Sequence, residues 1–123
     1  IKLLTCLRVD HSDLRSHRFT KQFNCLNPTC RCDIEDETPE HFFLRCPLLQ
    51  GPRIVLLNKV SEILGCTISA FDDPSLCQLL LYGKPSLNEN INKNILCATI
   101  RFIKSSKRFK TLEAFDTHGV SQP

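Results

Sequence analysis

The sequence contains no methionine and no tryptophan. No apolar run approaches the roughly 18 residues that a membrane-spanning helix needs, so we expect no membrane partner. No basic segment with an apolar run and a cleavage site opens the chain, so we also expect no secretory signal. Because the chain begins at Ile1 and lacks methionine throughout, we predict that it is a fragment of a longer polypeptide.

Residue sets that carry catalysis are missing as well. The chain has no Ser/His/Asp set, no glycine-rich phosphate loop and no convergent pair of carboxylates. Phe71-Asp72-Asp73 departs from the polymerase signature of an aromatic residue, any residue and two aspartates, because Ala70 stands where the aromatic residue belongs. We therefore predict that this segment is not an enzyme and takes no small-molecule substrate.

Length and hydrophobic pattern predict one small all-α domain. The chain has 123 residues, 41% of them hydrophobic, so it can bury a sizeable core. Apolar residues recur at helical spacing and predict about five helices, with one cysteine-rich, zinc-knuckle-like loop between the first two. The expected helices are Ser12 or Asp13 to about Phe23, Thr38 to Cys46, Gly51 or Pro52 to Leu64, Asp72 or Asp73 to Gly83, and Leu87 to Phe109. We predict a single domain over residues 1–110 and a poorly ordered tail over 111–123.

Two thiols, an imidazole and a third thiol fall within seventeen residues, in the spacing C-x-C-x8-H-x4-C. Thiolate sulfur and imidazole nitrogen are ligands that zinc prefers, and four of them close a tetrahedron with no position left for water. We therefore predict one structural Zn²⁺ in the segment 28–47. Free buried thiols with an exposed histidine are the alternative, and Cys25 is a rival for the first position. The predicted ligands are Cys30, Cys32, His41 and Cys46.

The spacing between the last two ligands sets a condition on the second helix. His41 and Cys46 are five positions apart, so on an unbroken α-helix they would point about 140° apart. They can share a metal only if the last turn unwinds. Pro47 favours this, because the residue before a proline is pushed out of the α region.

Eight cysteines in a short chain also raise the alternative of a disulfide scaffold. We disfavour it, because Cys66, Cys77 and Cys97 fall within apolar helical patterns, where a free thiol behaves as a small hydrophobe. A reducing intracellular compartment, nucleus or cytoplasm, fits this pattern of cysteines best.

Basic and acidic residues occupy different parts of the chain. An acid-free basic cluster lies at the end of the last helix, whereas residues 33–37 form an acidic loop that we expect to be solvated. A basic cluster can follow a phosphate backbone without sequence specificity, and such binding weakens steeply with salt. A solvated helix end is the alternative. The predicted phosphate contacts are Arg8, Arg15, Arg18, Arg101, Lys104, Lys107, Arg108 and Lys110.

Several runs resemble the C-terminal region of non-LTR retrotransposon polyproteins. The pattern Leu7-Arg8, His11-Ser12, Leu14, His17 and Phe19 is similar to the family run LR-x-GHS-x-L-x-x-H-x-F, with Asp10 in place of the glycine. Residues 27–32, 37–44 and 46–48 resemble its zinc segment, sP-x-C-x-C … ET-x-EHFLL-x-CPLY, with Leu49 in place of the tyrosine. The resemblance covers about residues 5–110.

This resemblance implies the region downstream of a reverse transcriptase, a zinc-binding tail that holds element RNA or target DNA. We therefore predict a nucleic-acid-binding accessory domain beside the upstream reverse transcriptase domain of the parent chain. The polymerase and endonuclease activities would belong to other parts of that parent. The alternative is a zinc-stabilised interaction or folding module that packs on the polymerase body without touching nucleic acid. An exposed apolar patch would favour this alternative.

Overall fold

A computed structural model describes residues 7–8, 14–19 and 27–109. Its architecture is helical, and the only β-type pairing within these ranges is an isolated bridge between Thr29 and Asp36. The predicted all-α class, with about five helices and a cysteine-rich loop between the first two, is confirmed. Within the described residues the α- and π-helices are α1 Arg15–His17, α2 His41–Arg45, α3 Gln50–Leu64, α4 Asp73–Tyr82 and α5 Glu89–Ser106. In the same ranges, two short 3₁₀ helices lie at Pro47–Leu49 and Ile68–Ala70.

The core forms where α3 and α4 pack against α5. Thr99 of α5 is buried, and its hydroxyl donates to the Leu80 carbonyl of α4 at 2.9 Å, which satisfies a polar group inside the core. The π-helical turn α2 joins this core through Phe42, whose ring lies 5.3 Å from Phe102 and 5.5 Å from Phe109, centroid to centroid. Within the described ranges, no helix combines the length and the apolar character needed to cross a membrane.

Local signals define most helix ends. Asp72 caps α4, because its carboxylate accepts from the Ser75 N–H at 2.9 Å. Asp72 is one of the two residues predicted to cap this helix. Gly65 and Gly83 end α3 and α4 with positive φ values of 71° and 76°, and both predicted ends are confirmed. At the far end of α5, Lys107 takes a left-handed conformation, so the helix stops at Ser106, short of the predicted Phe109.

Some predicted core positions face solvent instead. Ile54 is 52% exposed, because α3 buries Leu56 and Val60, and a residue two positions from Leu56 points to the opposite side of a helix. Phe19 is 41% exposed, although Leu14 before it is fully buried as predicted. Two of the three thiols predicted to be buried, Cys66 and Cys97, are also exposed, whereas Cys77 is buried.

Other predictions fall on residues that the structure does not describe. The first helix begins at Arg15 with Leu14 as its N-cap residue, while the predicted caps Ser12 and Asp13 and the predicted end Phe23 lie outside the described ranges. Lys110 and the tail over 111–123 lie outside them too. The domain boundary therefore stays a prediction.

Candidate metal centre

A tight turn presents the first two thiols. The Cys30 N–H donates to the Glu35 carbonyl, and the Asp33 N–H donates to the Cys30 carbonyl, each at 2.9 Å. Asp33 takes a positive φ of 62°, a conformation that aspartate tolerates better than most residues. The Glu37 N–H closes the base of the turn on the Pro28 carbonyl at 2.7 Å. The turn therefore holds its shape with backbone bonds, and its side chains are left to form the site.

The helix α2 supplies the histidine and the third thiol. Pro39 and Glu40 are already helical before α2, and the Thr38 hydroxyl accepts from the His41 N–H at 3.1 Å, so Thr38 caps the turn that leads into α2, as predicted. The Cys46 N–H then donates to the His41 carbonyl at 2.8 Å, which is the five-residue bond of a π-helix. Cys46 is extended, with φ −66° and ψ 119°, so the helix ends before Pro47 as predicted. The turn before it unwinds by widening into a π-turn. The extra residue in the turn brings two side chains that are five positions apart toward one face.

The four predicted ligands converge in the structure. We call them the Cys3His cluster, and its members are Cys30, Cys32, His41 and Cys46. Their ligand atoms all lie within 4.8 Å of one another. The Cys30 and Cys46 sulfurs are 3.8 Å apart, and the Cys32 sulfur is 3.3 Å from His41 Nε2. Tetrahedral zinc, with bonds of about 2.3 Å to sulfur and 2.0 Å to nitrogen, has edges of about 3.8 Å and 3.5 Å. The cluster could therefore hold a metal ion.

Burial shapes the protonation of the thiols. Cys30 and Cys46 are buried, whereas Cys32 is partly exposed. Desolvation raises the pKa of the Cys30 thiol to about 12, because burial disfavours the charged thiolate. At Cys32 desolvation acts in the same direction, but hydrogen bonds, first of all from the Ile34 backbone, outweigh it and lower the pKa. A cation between the sulfurs would stabilise thiolates that burial otherwise disfavours.

A carboxylate lies behind the histidine. His41 is 0% exposed, and its Nδ1 lies 3.3 Å from a carboxylate oxygen of Glu35. The angle is poor, so this nitrogen has no hydrogen-bond partner among the described residues. The carboxylate is nevertheless the charged group that faces this nitrogen at short distance. Histidines that bind metals usually donate their second N–H to such a carboxylate, which leaves Nε2 facing the ion.

Arg45 fixes this carboxylate and connects the centre to α4. Its Nε donates to both carboxylate oxygens of Glu35, at 2.9 and 3.0 Å, and its Nη1 donates to Asp73 at 2.6 Å. These bonds, first of all the one to Asp73, raise the pKa of Arg45. The chain of contacts therefore runs from His41 through Glu35 and Arg45 to the first turn of α4.

Glu37 is a structural hub that sequence reasoning missed. The acidic loop was expected to be solvated, and for Glu37 this is wrong, because its side chain is buried. Its carboxylate accepts from Arg108 at 2.6 and 2.7 Å and from the Arg15 backbone N–H at 2.7 Å. Its carbonyl also accepts from the Ser16 hydroxyl at 2.8 Å. Glu37 thus ties the metal loop to both α1 and the end of α5.

Three predicted phosphate contacts are engaged within the protein. Arg8 donates to the Leu81 carbonyl at 2.5 Å, and its guanidinium lies 5.1 Å from the Tyr82 ring centroid. Arg15 donates to the Thr29 carbonyl at 3.0 Å, and Arg108 pairs with Glu37. These three arginines therefore stabilise the fold through contacts within the protein. Arg18 is half-buried with interactions of its own, and Lys110 lies outside the described residues.

The remaining predicted contacts lie along the second half of α5 and directly after its end. Arg101, Lys104 and Lys107 are exposed, and so is Lys93, which sequence reasoning missed. Lys93 lies eight positions before Arg101, so it projects within about 80° of it, and this spacing could have identified it. No acidic residue occurs between Lys93 and Lys107. We call these four residues the basic face.

Of the histidines and cysteines that the structure describes, the other candidates do not join the cluster. His17 is buried in α1 and is not among the residues that converge on the site. Cys25, the rival for the first ligand position, lies outside the described residues, as do His11 and His118. Within the described ranges, the first position of the cluster is filled by Cys30.

Comparison with models of known families, with curated proteins and with solved structures found no match for this chain. The site is therefore interpreted from its own residues. Three sulfurs and one imidazole nitrogen, with a carboxylate behind the imidazole, form a donor set that suits a metal ion in tetrahedral coordination.

Proposed function

We propose that this chain is a structural-zinc, nucleic-acid-binding accessory domain from the C-terminal part of a non-LTR retrotransposon reverse transcriptase. The observation that carries the proposal is the Cys3His cluster, whose four ligand atoms lie within 4.8 Å of one another. A tetrahedral sulfur and nitrogen site selects zinc over harder cations. Four protein ligands close the coordination shell, so the ion would serve to fold the protein.

The loop needs such an ion because it has little apolar surface to bury. Ile34, its one large aliphatic side chain between the two segments of the motif, is exposed. A metal that joins Cys30 and Cys32 of the loop to His41 of α2 would replace the missing hydrophobic contacts. In small metal-bound domains, metal-binding free energy acts as folding free energy in this way.

The basic face supports the nucleic-acid part of the proposal. Four exposed cations follow α5 from Lys93 to Lys107, over about 21 Å at 1.5 Å per residue. An acid-free row of cations attracts a phosphate backbone of RNA or DNA without reading its sequence. The retrotransposon origin rests on the sequence resemblance over residues 5–110.

A second candidate function is a zinc-stabilised interaction module that packs on the polymerase body. The observation that favours it is a set of exposed apolar side chains near the start of α3, which are Leu48, Ile54 and Val55. Apolar residues that lie close together on a surface often mark protein contacts. In this alternative the basic face would be a solvated surface.

Native mass spectrometry of the reduced protein tests the zinc site. We expect one zinc per chain, lost in Cys46→Ser and kept in Cys66→Ser, because Cys66 is exposed and is not a member of the cluster. Absence of zinc from the unmodified protein, or its loss in both variants, would contradict the proposed centre.

A salt series with a single-stranded RNA tests the basic face. Four phosphate contacts predict a slope of log K against log salt near −3, at about −0.7 per phosphate. The combined variant Arg101→Gln, Lys104→Gln, Lys107→Gln should reduce this slope to about −1. Lys84→Gln removes an exposed lysine outside this face and should leave the slope unchanged. Binding that is absent, or independent of salt, would favour the interaction module.

A further inference from the structure

A groove runs between the start of α3 and the second half of α5. It encloses about 340 Å³, and its walls include the apolar side chains of Val55, Leu56 and Ala98. Two cations, Lys59 and Arg101, stand at its rim, and none of the described residues that line it is acidic. An apolar cleft between two cations suits a ligand with a flat apolar body and a negative charge.

We propose that this groove takes an unstacked base of a single-stranded nucleic acid whose phosphates follow the basic face. The inference rests on the proposed nucleic-acid function and specifies the form of the ligand. Arg101 connects the two features, because it belongs to the basic face and also lines the groove. A strand that runs along α5 therefore passes the mouth of the groove.

Exposure and charge favour a single strand over a duplex. Val55 is 70% exposed, so its apolar surface is available to a base that enters from solvent. In a duplex the bases are stacked and paired, and only an unpaired strand can turn one outward. Lys59 lies 3.3 Å from the exposed Glu62, but such a surface pair is weak and leaves the lysine able to meet a phosphate.

The length over which the exposed cations extend favours nucleic acid over an acidic protein segment. The groove spans only part of α5, whereas the cations continue from Lys93 to Lys107. A repeating phosphate backbone matches charge along this whole length, and base burial beside a cationic track is the usual mode of single-strand binding.

The test compares two oligonucleotides with the same number of phosphates, oligo(dT) and its abasic analogue, on the full chain. We expect oligo(dT) to bind about ten-fold more tightly, since burying part of the apolar face of one base against the aliphatic wall contributes at this level. Val55→Ser should remove most of the difference. Ile54→Ser is the matched control, because Ile54 is also exposed on α3 but does not line the groove.

A second variant tests whether the effect of Val55→Ser comes from the groove or only from the changed surface at Val55. Ala98→Leu fills the groove without changing its charge, and it should weaken oligo(dT) binding while the abasic strand binds as before. Equal affinity of the unmodified protein for the two strands would overturn the groove and leave the proposed phosphate binding intact. A difference that survives both groove variants would also overturn it. If neither strand binds, the proposed nucleic-acid function fails first and the groove inference fails with it.

Discussion

Single residues set the environment of the metal loop, and Glu37 shows this most clearly. Its side chain is 5% exposed, and its carboxylate accepts from Nε and Nη2 of Arg108 and from the Arg15 N–H of α1. Its backbone carbonyl accepts from the hydroxyl and the N–H of Ser16. Removing one partner of a buried pair leaves the other charge uncompensated, which is more costly than the net contribution of the pair. Glu37 therefore matters for stability although it touches no proposed ligand atom.

Glu37→Gln should lower the free energy of unfolding by about 2 kcal/mol, because the buried side chain of Glu37 would lose its charge-assisted bonds to Arg108, which is itself 20% exposed. Urea denaturation of the zinc-loaded protein measures it. Glu40→Gln is the control, since Glu40 lies 3.7 Å from Arg45 in an exposed pair and should change stability by less than about 0.5 kcal/mol. Similar losses in the two variants would show that the Glu37 pair contributes no more than a surface contact.

Glu35 has a different role at the same scale. It stands 3.3 Å from His41 Nδ1, so Glu35→Gln should weaken zinc binding about ten-fold or more, in line with other carboxylates behind metal-bound histidines. Competition against a chromophoric chelator measures the affinity. Glu62→Gln, an exposed carboxylate on α3, should leave it unchanged. Unaltered affinity in Glu35→Gln would show that the carboxylate does not orient the imidazole.

The four cluster residues could be predicted from the sequence, whereas their supporting residues could not. Ligand types and spacing are local, so Cys30 to Cys46 can be recognised within seventeen residues. Glu37 meets Arg108 at a separation of 71 positions, and no local pattern identifies such a pair. The role of Glu35 could not be predicted either, because an acidic residue in a loop is usually solvated.

Helices α3, α4 and α5 were predictable for the same reason, since caps and glycine ends are local signals. The widened turn of α2 and the buried face of α3 were not, because both depend on tertiary contacts. Pro47 indicates that α2 must stop but not that its last turn takes an extra residue. On α3, Ile54 and Leu56 are equally hydrophobic, and only packing against α5 decides that Leu56 is buried.

At the scale of the element, the cap of α4 should respond to pH. The hydrogen bonds from Ser75 lower the pKa of Asp72 below its ordinary value of 3.8. A carboxyl whose folded pKa is lowered stabilises the folded state above that ordinary value, and the effect is lost as the pH falls through the lower, folded pKa. Asp72→Asn keeps an acceptor at the cap but not the charge.

We therefore expect the wild type to melt at a higher temperature than Asp72→Asn near neutral pH. This difference should shrink as the pH falls below 3.8. Thermal melts of the two proteins at several pH values provide the measurement, and comparing them with each other cancels the effect of acid on the metal ligands. Glu62→Gln serves as the exposed control. A difference that stays constant with pH would mean that the charge of Asp72 does not stabilise α4.

At the scale of the molecule, a metal bound to the Cys3His cluster would stabilise a different part of the chain from the hydrophobic core. The loop and the end of α2 meet through the Cys3His cluster, whereas α3, α4 and α5 share a hydrophobic core. Phe42 and Phe43 belong to both parts, because they lie on α2 between His41 and Cys46 and are buried in that core. Zinc removal should therefore loosen the loop first and leave the core helices folded.

Hydrogen exchange, measured with and without a chelator, tests whether the loop loosens while the core helices stay folded. The amides of Cys30, Asp33, Glu37 and Cys46 should lose protection when zinc is removed, because their hydrogen bonds close the cysteine-rich turn and the π-helical turn. Amides near Thr99 in α5 should stay protected, since that side chain is buried between α4 and α5. Loss of protection throughout the chain would mean that core and loop form one cooperative unit. No loss anywhere would mean that the loop is held by Glu37 and its partners without the metal.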